Sequence, residues 1–133
     1  LLKSLSGSLA SLEVLKDSED YTCCVTGAFK TLEGYLTKIL YNKYGYKIKN
    51  RDKFSMFHRK NGSLSLIDSN GNISTNEKNA LNSLYSIYSN KRNVFLHSTI
   101  DPCQTRIIEG WEEANDIVNE IIDEIEKSYN IFY

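Results

Sequence analysis

The sequence predicts an all-α fold, an antiparallel helical bundle with four main helices, a short helical turn and a polar loop or hairpin insertion at about 46–73. Three observations lead there. Apolar residues recur at helical spacing over most of the chain. Start and stop signals for helices bracket those stretches. Glycine and asparagine, the strongest turn formers, gather in one interval between them.

The first sixteen residues read as a short helix with Leu2, Leu5, Leu9, Leu12 and Leu15 as its apolar positions. Asp17 or Ser18 is placed to cap a longer helix reaching about Tyr44, with Val25, Phe29, Leu32, Leu36 and Leu40 on the buried stripe. Glu33 sits about 100° from Leu32, toward the edge of that stripe, where a carboxylate is ordinarily just solvated. Gly34 in mid-helix costs roughly 1 kcal/mol against alanine and leaves room for close approach by another segment. Gly45 ends the helix.

Residues 46–73 change character. Asn61-Gly62 is a tight-turn signal, and Phe54, Met56, Leu64 and Leu66 are placed to form a small hairpin around it. The expectation is an irregular insertion with one hairpin and no part in a sheet core. His58 reads as a surface residue. Ser74-Thr75-Asn76-Glu77 is a capping box opening the third helix, with Ala80, Leu81, Leu84, Tyr85 and Tyr88 as its buried face. After Pro102, Thr105 can start a last helix reaching about Tyr129. Ile107, Trp111, Ala114, Val118, Ile121, Ile122 and Ile125 form its stripe, with acids on the other side. Tyr129, Phe132 and Tyr133 are expected to pack a bundle end or to face a partner.

The 133 residues fit one domain spanning 1–133, with 41% hydrophobic and 25% charged residues, ordinary for a soluble globular protein. No stretch approaches the roughly 18 apolar residues of a membrane span. The chain begins at Leu1 rather than Met, which suggests the C-terminal part of something longer. Cys23, Cys24 and Cys103 are odd in number and lack CxxC spacing, so neither a disulfide scaffold nor a zinc site is expected. Buried thiols in a reducing, cytoplasmic compartment fit best. Cys103 as a nucleophile finds no support, because nothing near it favours a thiolate.

Net charge is −1, yet its distribution is uneven. Between Lys38 and Lys60 there are eight basic residues and one acid. Between Arg106 and Lys127 there are eight acids and two bases. Such blocks predict separate faces. Lys47, Lys49, Arg51, Lys53, Arg59 and Lys60 are the candidates for contact with RNA phosphates, against the alternative of a solvated loop.

The chemistry is concentrated in Arg92-Asn93-Val94-Phe95-Leu96-His97. Arginine grips phosphate with a planar, permanently charged fork. Histidine gains and loses a proton near neutral pH. On a straight helix these two would lie roughly 140° apart, so a shared site requires a helix to begin or end inside the motif. Asn93 is a good N-cap residue; with it as the cap, Arg92 and His97 converge on an anion at a short helix N-terminus. Spacing alone is equally compatible with a surface arginine and a structural histidine. The chain shows neither the paired-carboxylate cluster of a two-metal nuclease nor any sign of a cofactor.

The Arg92-to-His97 segment resembles the Arg-polar-x3-His signature of HEPN domains, with Asn93 in the polar slot. Phe29-Lys30-Thr31-Leu32-Glu33-Gly34-Tyr35-Leu36 resembles the F-x-x-LEGYL helix of the RNase LS toxin family (RnlA and LsoA). The resemblance runs from about Asp17 to the C-terminus and is nearest to the C-terminal, antitoxin-binding HEPN domain of those toxins. It implies a helical bundle and a metal-independent endoribonuclease, the toxin of a toxin–antitoxin pair, acting on RNA and mRNA in particular. It also implies that Glu33 joins Arg92 and His97 as a catalytic group, that the active form is a homodimer, and that an antitoxin protein is a partner. Thr99 stands where HEPN toxins silenced by partner nucleotidyltransferases carry Tyr, which argues against that mode of control. Two rival readings are a HEPN-like module that binds RNA or protein without cutting, and a structural domain that docks a partner through its acidic last helix.

Overall fold

The computed structural model describes residues 2–14, 21–48, 54–61, 63–67, 71–92 and 108–133. Among them are four α-helices: α1 (Leu2–Val14), α2 (Thr22–Tyr44), α3 (Thr75–Ile87) and α4 (Trp111–Phe132). Strands β1 (Phe57–Lys60) and β2 (Ser63–Leu66) form an antiparallel hairpin, and a π-helical turn, Tyr88–Arg92, continues α3. The expected all-α bundle is therefore the fold.

Helix α2 is the central element. Its predicted stripe, Val25, Phe29, Leu32, Leu36 and Leu40, is fully buried, together with Ala28 and Ile39. Gly45 ends it in the left-handed conformation, φ 71°, and its N–H bonds back to the carbonyl of Tyr41 at 3.0 Å. Asp17 and Ser18 lie outside the described residues; the helix itself starts at Thr22. Opposite α2, the inner face of α4 buries Ala114, Ile117, Val118, Ile121 and Phe132. The buried Ser128 hydroxyl donates to Tyr35 Oη at 3.1 Å, which satisfies both polar groups inside this interface. Burial also pushes the Tyr35 phenol above its ordinary pKa.

Helix α1 differs from its expected packing. Leu2 is 81% exposed and Leu9 40%, whereas Ser8 and Leu12 are buried. The reason is close approach to α2. A Cβ on Gly27 would lie 2.2 Å from the Ser4 carbonyl oxygen and 2.5 Å from Ser8 Oγ. The two backbones meet there through small residues, and the Ala28 N–H donates to Ser8 Oγ at 2.9 Å. Ser8 therefore shares the inward face of α1 with Leu5 and Leu12, while Leu2 and Leu9 face out.

Helix α4 starts later than expected, at Trp111 rather than Thr105, which lies outside the described residues. The segment before it is tied down in non-helical form. Tyr21 N–H donates to Ile108 O at 2.7 Å, Ile108 N–H donates to Thr22 Oγ1 at 3.2 Å, and Gly110 is extended. Trp111 Nε1 then donates to the Leu12 carbonyl at 2.8 Å, linking α4 to the end of α1.

The insertion contributes more to the core than its composition suggests. Phe54, Phe57 and Leu66 are buried, and the hairpin register pairs Phe57 with Leu66 and Lys60 with Ser63. Asn61 takes the left-handed conformation, φ 51°, that a two-residue hairpin turn requires. Asn82 on α3 accepts from the Leu66 N–H at 2.8 Å, which fixes the hairpin to the bundle. Of the cysteines, Cys24 is buried as expected, Cys23 is exposed, and Cys103 lies outside the described residues. Among the described residues no helix is long and apolar enough to cross a membrane.

Candidate active site

Glu33 projects from the middle of α2 beside the fully buried Leu32 and Leu36. Its surroundings differ from the solvated edge that spacing suggests. It is half-buried, and Tyr88 Oη donates to its Oε2 at 3.1 Å. Tyr88 is the first residue of the π turn and is itself buried. A hydroxyl aimed at a carboxylate gives a charge-assisted bond, the stronger kind.

An aromatic cluster holds Tyr88. The Phe54 ring meets it edge-on at 5.2 Å, and Tyr85 stacks on Phe57 at 4.2 Å. Phe54 has φ 62°, an unusual backbone conformation for a bulky residue. Such strain persists where the surroundings over-determine it, and here three packed rings, Phe57, Tyr85 and Tyr88, do so.

Two further side chains of the turn reach other elements. Asn90 Oδ1 accepts from Arg59 Nη2 of the hairpin at 3.3 Å, and Asn90 Nδ2 donates to Ser86 Oγ at 3.1 Å. Lys91 forms an ion pair with Glu120 of α4. The π turn is thus fastened to α2 by Tyr88, to the hairpin by Asn90 and to α4 by Lys91. Arg92 is its last residue. π turns inside or at the end of α-helices frequently mark functional positions, because they break the ordinary register of side chains.

Of the sequence-predicted site residues, Glu33 and the backbone position of Arg92 are carried by elements in contact with each other. Asn93 and His97 lie outside the described residues, and so does the short helix expected to follow Asn93. Of the basic candidates, Lys47, Arg59 and Lys60 are exposed; Lys49, Arg51 and Lys53 lie outside the described residues. His58 is exposed on the hairpin, as expected. Tyr88 and Asn90 were not legible as site residues. Tyr88 appears in the sequence only as one apolar position of α3, and the one hint is that a buried tyrosine hydroxyl usually needs a polar partner.

The electrostatic surroundings are asymmetric. A groove of about 490 Å³ between α3 and α4 is lined by Ser83 and Ser86 on one side and by Asp116, Glu120, Asp123, Glu124 and one cation, Lys127, on the other, with Glu120 paired to Lys91. Carboxylates there repel phosphate. The hairpin side, with Arg59 and Lys60, attracts it. Among the described residues no group of three or more His, Cys, Asp or Glu side chains is arranged to hold a metal ion.

A family model described as RNase LS, bacterial toxin DBD domain, matches residues 1–99. That span contains Glu33, Tyr88, Arg92, Asn93 and His97. No curated protein matches the chain.

Proposed function

Because the chain belongs to the RNase LS bacterial toxin DBD-domain family, we propose that residues 1–133 form one HEPN-like catalytic domain, a metal-independent endoribonuclease of a toxin–antitoxin pair. The observation that carries this reading is the Tyr88–Glu33 hydrogen bond, which fastens the Glu33 carboxylate to the turn that ends at Arg92.

In the proposed reaction the 2′-oxygen of the RNA attacks the adjacent phosphorus. The P–O5′ bond breaks, leaving a 2′,3′-cyclic phosphate and a 5′-hydroxyl. One group must take the 2′-proton and one must supply a proton to the departing 5′-oxygen. His97 and Glu33 are the acid–base candidates, with Glu33 acting directly or by orienting the proton carrier. Arg92 stabilises the added charge on the phosphorane-like transition state. Asn93 fixes the local backbone. Arg59 and Lys60, and with them Lys47, Lys49, Arg51 and Lys53, attract the RNA backbone. The active form is a homodimer in the cytoplasm, and an antitoxin protein is its regulator.

The test is incubation of purified protein with RNA in the presence of EDTA. Wild type should cleave, and His97→Ala should be slower by about 10²–10⁴-fold, the usual weight of general acid–base catalysis. Activity lost on chelation and restored by Mg²⁺ or Mn²⁺ would replace this mechanism.

The acidic groove between α3 and α4 favours a second reading, in which α4 docks a basic segment of a protein partner. The two are compatible, since α4 lies beyond the matched span of 1–99.

A further inference from the structure

We infer that the C-terminal end of α4, with the end of α2 beside it, is a stacking platform for the bases of single-stranded RNA. Tyr129 and Tyr133 lie one turn apart and their rings stack, with centroids 5.1 Å apart and planes 28° apart. Both are more than half exposed, at 55% and 56%. Lys43, from the last turn of α2, places its ammonium 5.5 Å from the centre of the Tyr133 ring. Exposed aromatic faces with a cation alongside are the means by which proteins hold single strands without reading their sequence. The rings accept bases, every one of which has a π-face, and the cations accept phosphates.

Charge favours RNA over a protein partner. The last acid of α4 is Glu126, so its final turn carries none. Lys47, two residues past the Gly45 cap, adds a second exposed cation near the end of α2. A cavity of about 360 Å³ beside Lys43 is lined by Tyr44, Tyr46, Asn72 and Ile73 and by one acid, Glu77, which lies within the field of Lys43. Lys43 follows Glu33 by ten residues on α2. That is about 15 Å along the helix and about 80° around it. The platform's cation and Glu33 thus stand on one helix.

The experiment measures binding of a labelled, fully 2′-O-methylated oligonucleotide by fluorescence anisotropy. This strand lacks the attacking hydroxyl, so the result is independent of whether the protein cuts RNA. Tyr133→Ala and Tyr129→Ala should each raise Kd about five-fold or more, whereas Tyr133→Phe, which keeps the ring, should bind like wild type. Lys43→Ala should lower the slope of log Kd against log salt by about 0.7. Circular dichroism and sedimentation on the same samples report fold and assembly. Wild type that fails to bind the strand overturns the inference, as do alanine variants that bind like wild type. So does a loss of self-association in those variants with Kd unchanged, which would assign the surface to a second copy of the chain.

Discussion

Tyr88 and Glu33, fifty-five residues apart in sequence, are joined by a hydrogen bond of 3.1 Å from the tyrosine hydroxyl to Oε2 of the carboxylate. If Glu33 takes part in the reaction, the bond fixes where its charge lies. Tyr88→Phe removes only the hydroxyl and leaves the ring in the aromatic cluster. Cleavage should slow by about tenfold, the weight of a hydrogen bond to a charged group, with KM nearly unchanged. Adding Glu33→Gln should then cost no more than Glu33→Gln alone, because the two residues act as one unit. Additive losses would show that Tyr88 serves only the core.

Arg59 and Lys60 are expected to act on RNA affinity. Lys60→Ala should weaken binding of single-stranded RNA and reduce its salt dependence by about 0.7 in log–log slope. Arg59→Ala should do the same and also lower turnover, because Arg59 additionally bonds Asn90 of the π turn. Salt series that superimpose on wild type would make the hairpin a solvated loop.

Two glycine-to-alanine changes should have opposite signs. Gly27→Ala places a methyl against the Ser4 carbonyl and Ser8 Oγ, with backbone on both sides of the clash. It should destabilise by about 1–3 kcal/mol and lower Tm by several degrees. Gly7 in α1 has nothing within 4 Å of its ideal Cβ. Gly7→Ala should therefore raise stability by up to about 1 kcal/mol through helix propensity alone. Thermal melts of the two variants decide both.

Acid should loosen the start of α3. Bonds from the Ser74 backbone N–H, above all, hold the Glu77 carboxyl below its ordinary pKa of 4.5. The folded state then binds fewer protons than the unfolded state. The Glu77 contribution is thus complete above the unfolded pKa and is lost as pH falls through the lower folded one. Glu77→Gln should be less stable than wild type at neutral pH and should converge with it in acid. Ser74→Ala should cost about 1 kcal/mol by removing the cap. A gap between Glu77→Gln and wild type that does not change between pH 7 and pH 3 would contradict this account.

What was legible in the sequence was local. The Ser74–Glu77 capping box, the Gly45 terminator and the buried stripe of α2 all follow from neighbours within one or two turns. What was illegible depends on contacts distant in sequence. Ser8 is buried because Gly27, on another helix, lets the backbones close. The helical pattern near residue 108 gives way because Tyr21 and Thr22 claim its backbone groups. Phe54 and Phe57 enter the core from an insertion whose composition looks polar, since two aromatic rings suffice to anchor a short hairpin. At the candidate site, Glu33 and Arg92 were singled out through their motifs. The bonds of Tyr88 to Glu33 and of Asn90 to Arg59 arise only once α2, α3 and the hairpin are assembled.

The π turn at Tyr88–Arg92 also behaves as a phase setter. A π-helical turn winds in one residue more than an α turn. The end of the turn is thereby clocked round by about 100° relative to a plain continuation of α3. Deleting Ser89 would let the chain relax to an α turn of the same rise. Tyr88 would keep its place on α2, and Arg92 would stay near its present azimuth, because the residue removed is the one the π turn winds in. The extra residue thus works as slack: a one-residue deletion there should be absorbed by the turn, with the bundle folded and the backbone of Arg92 close to its present place.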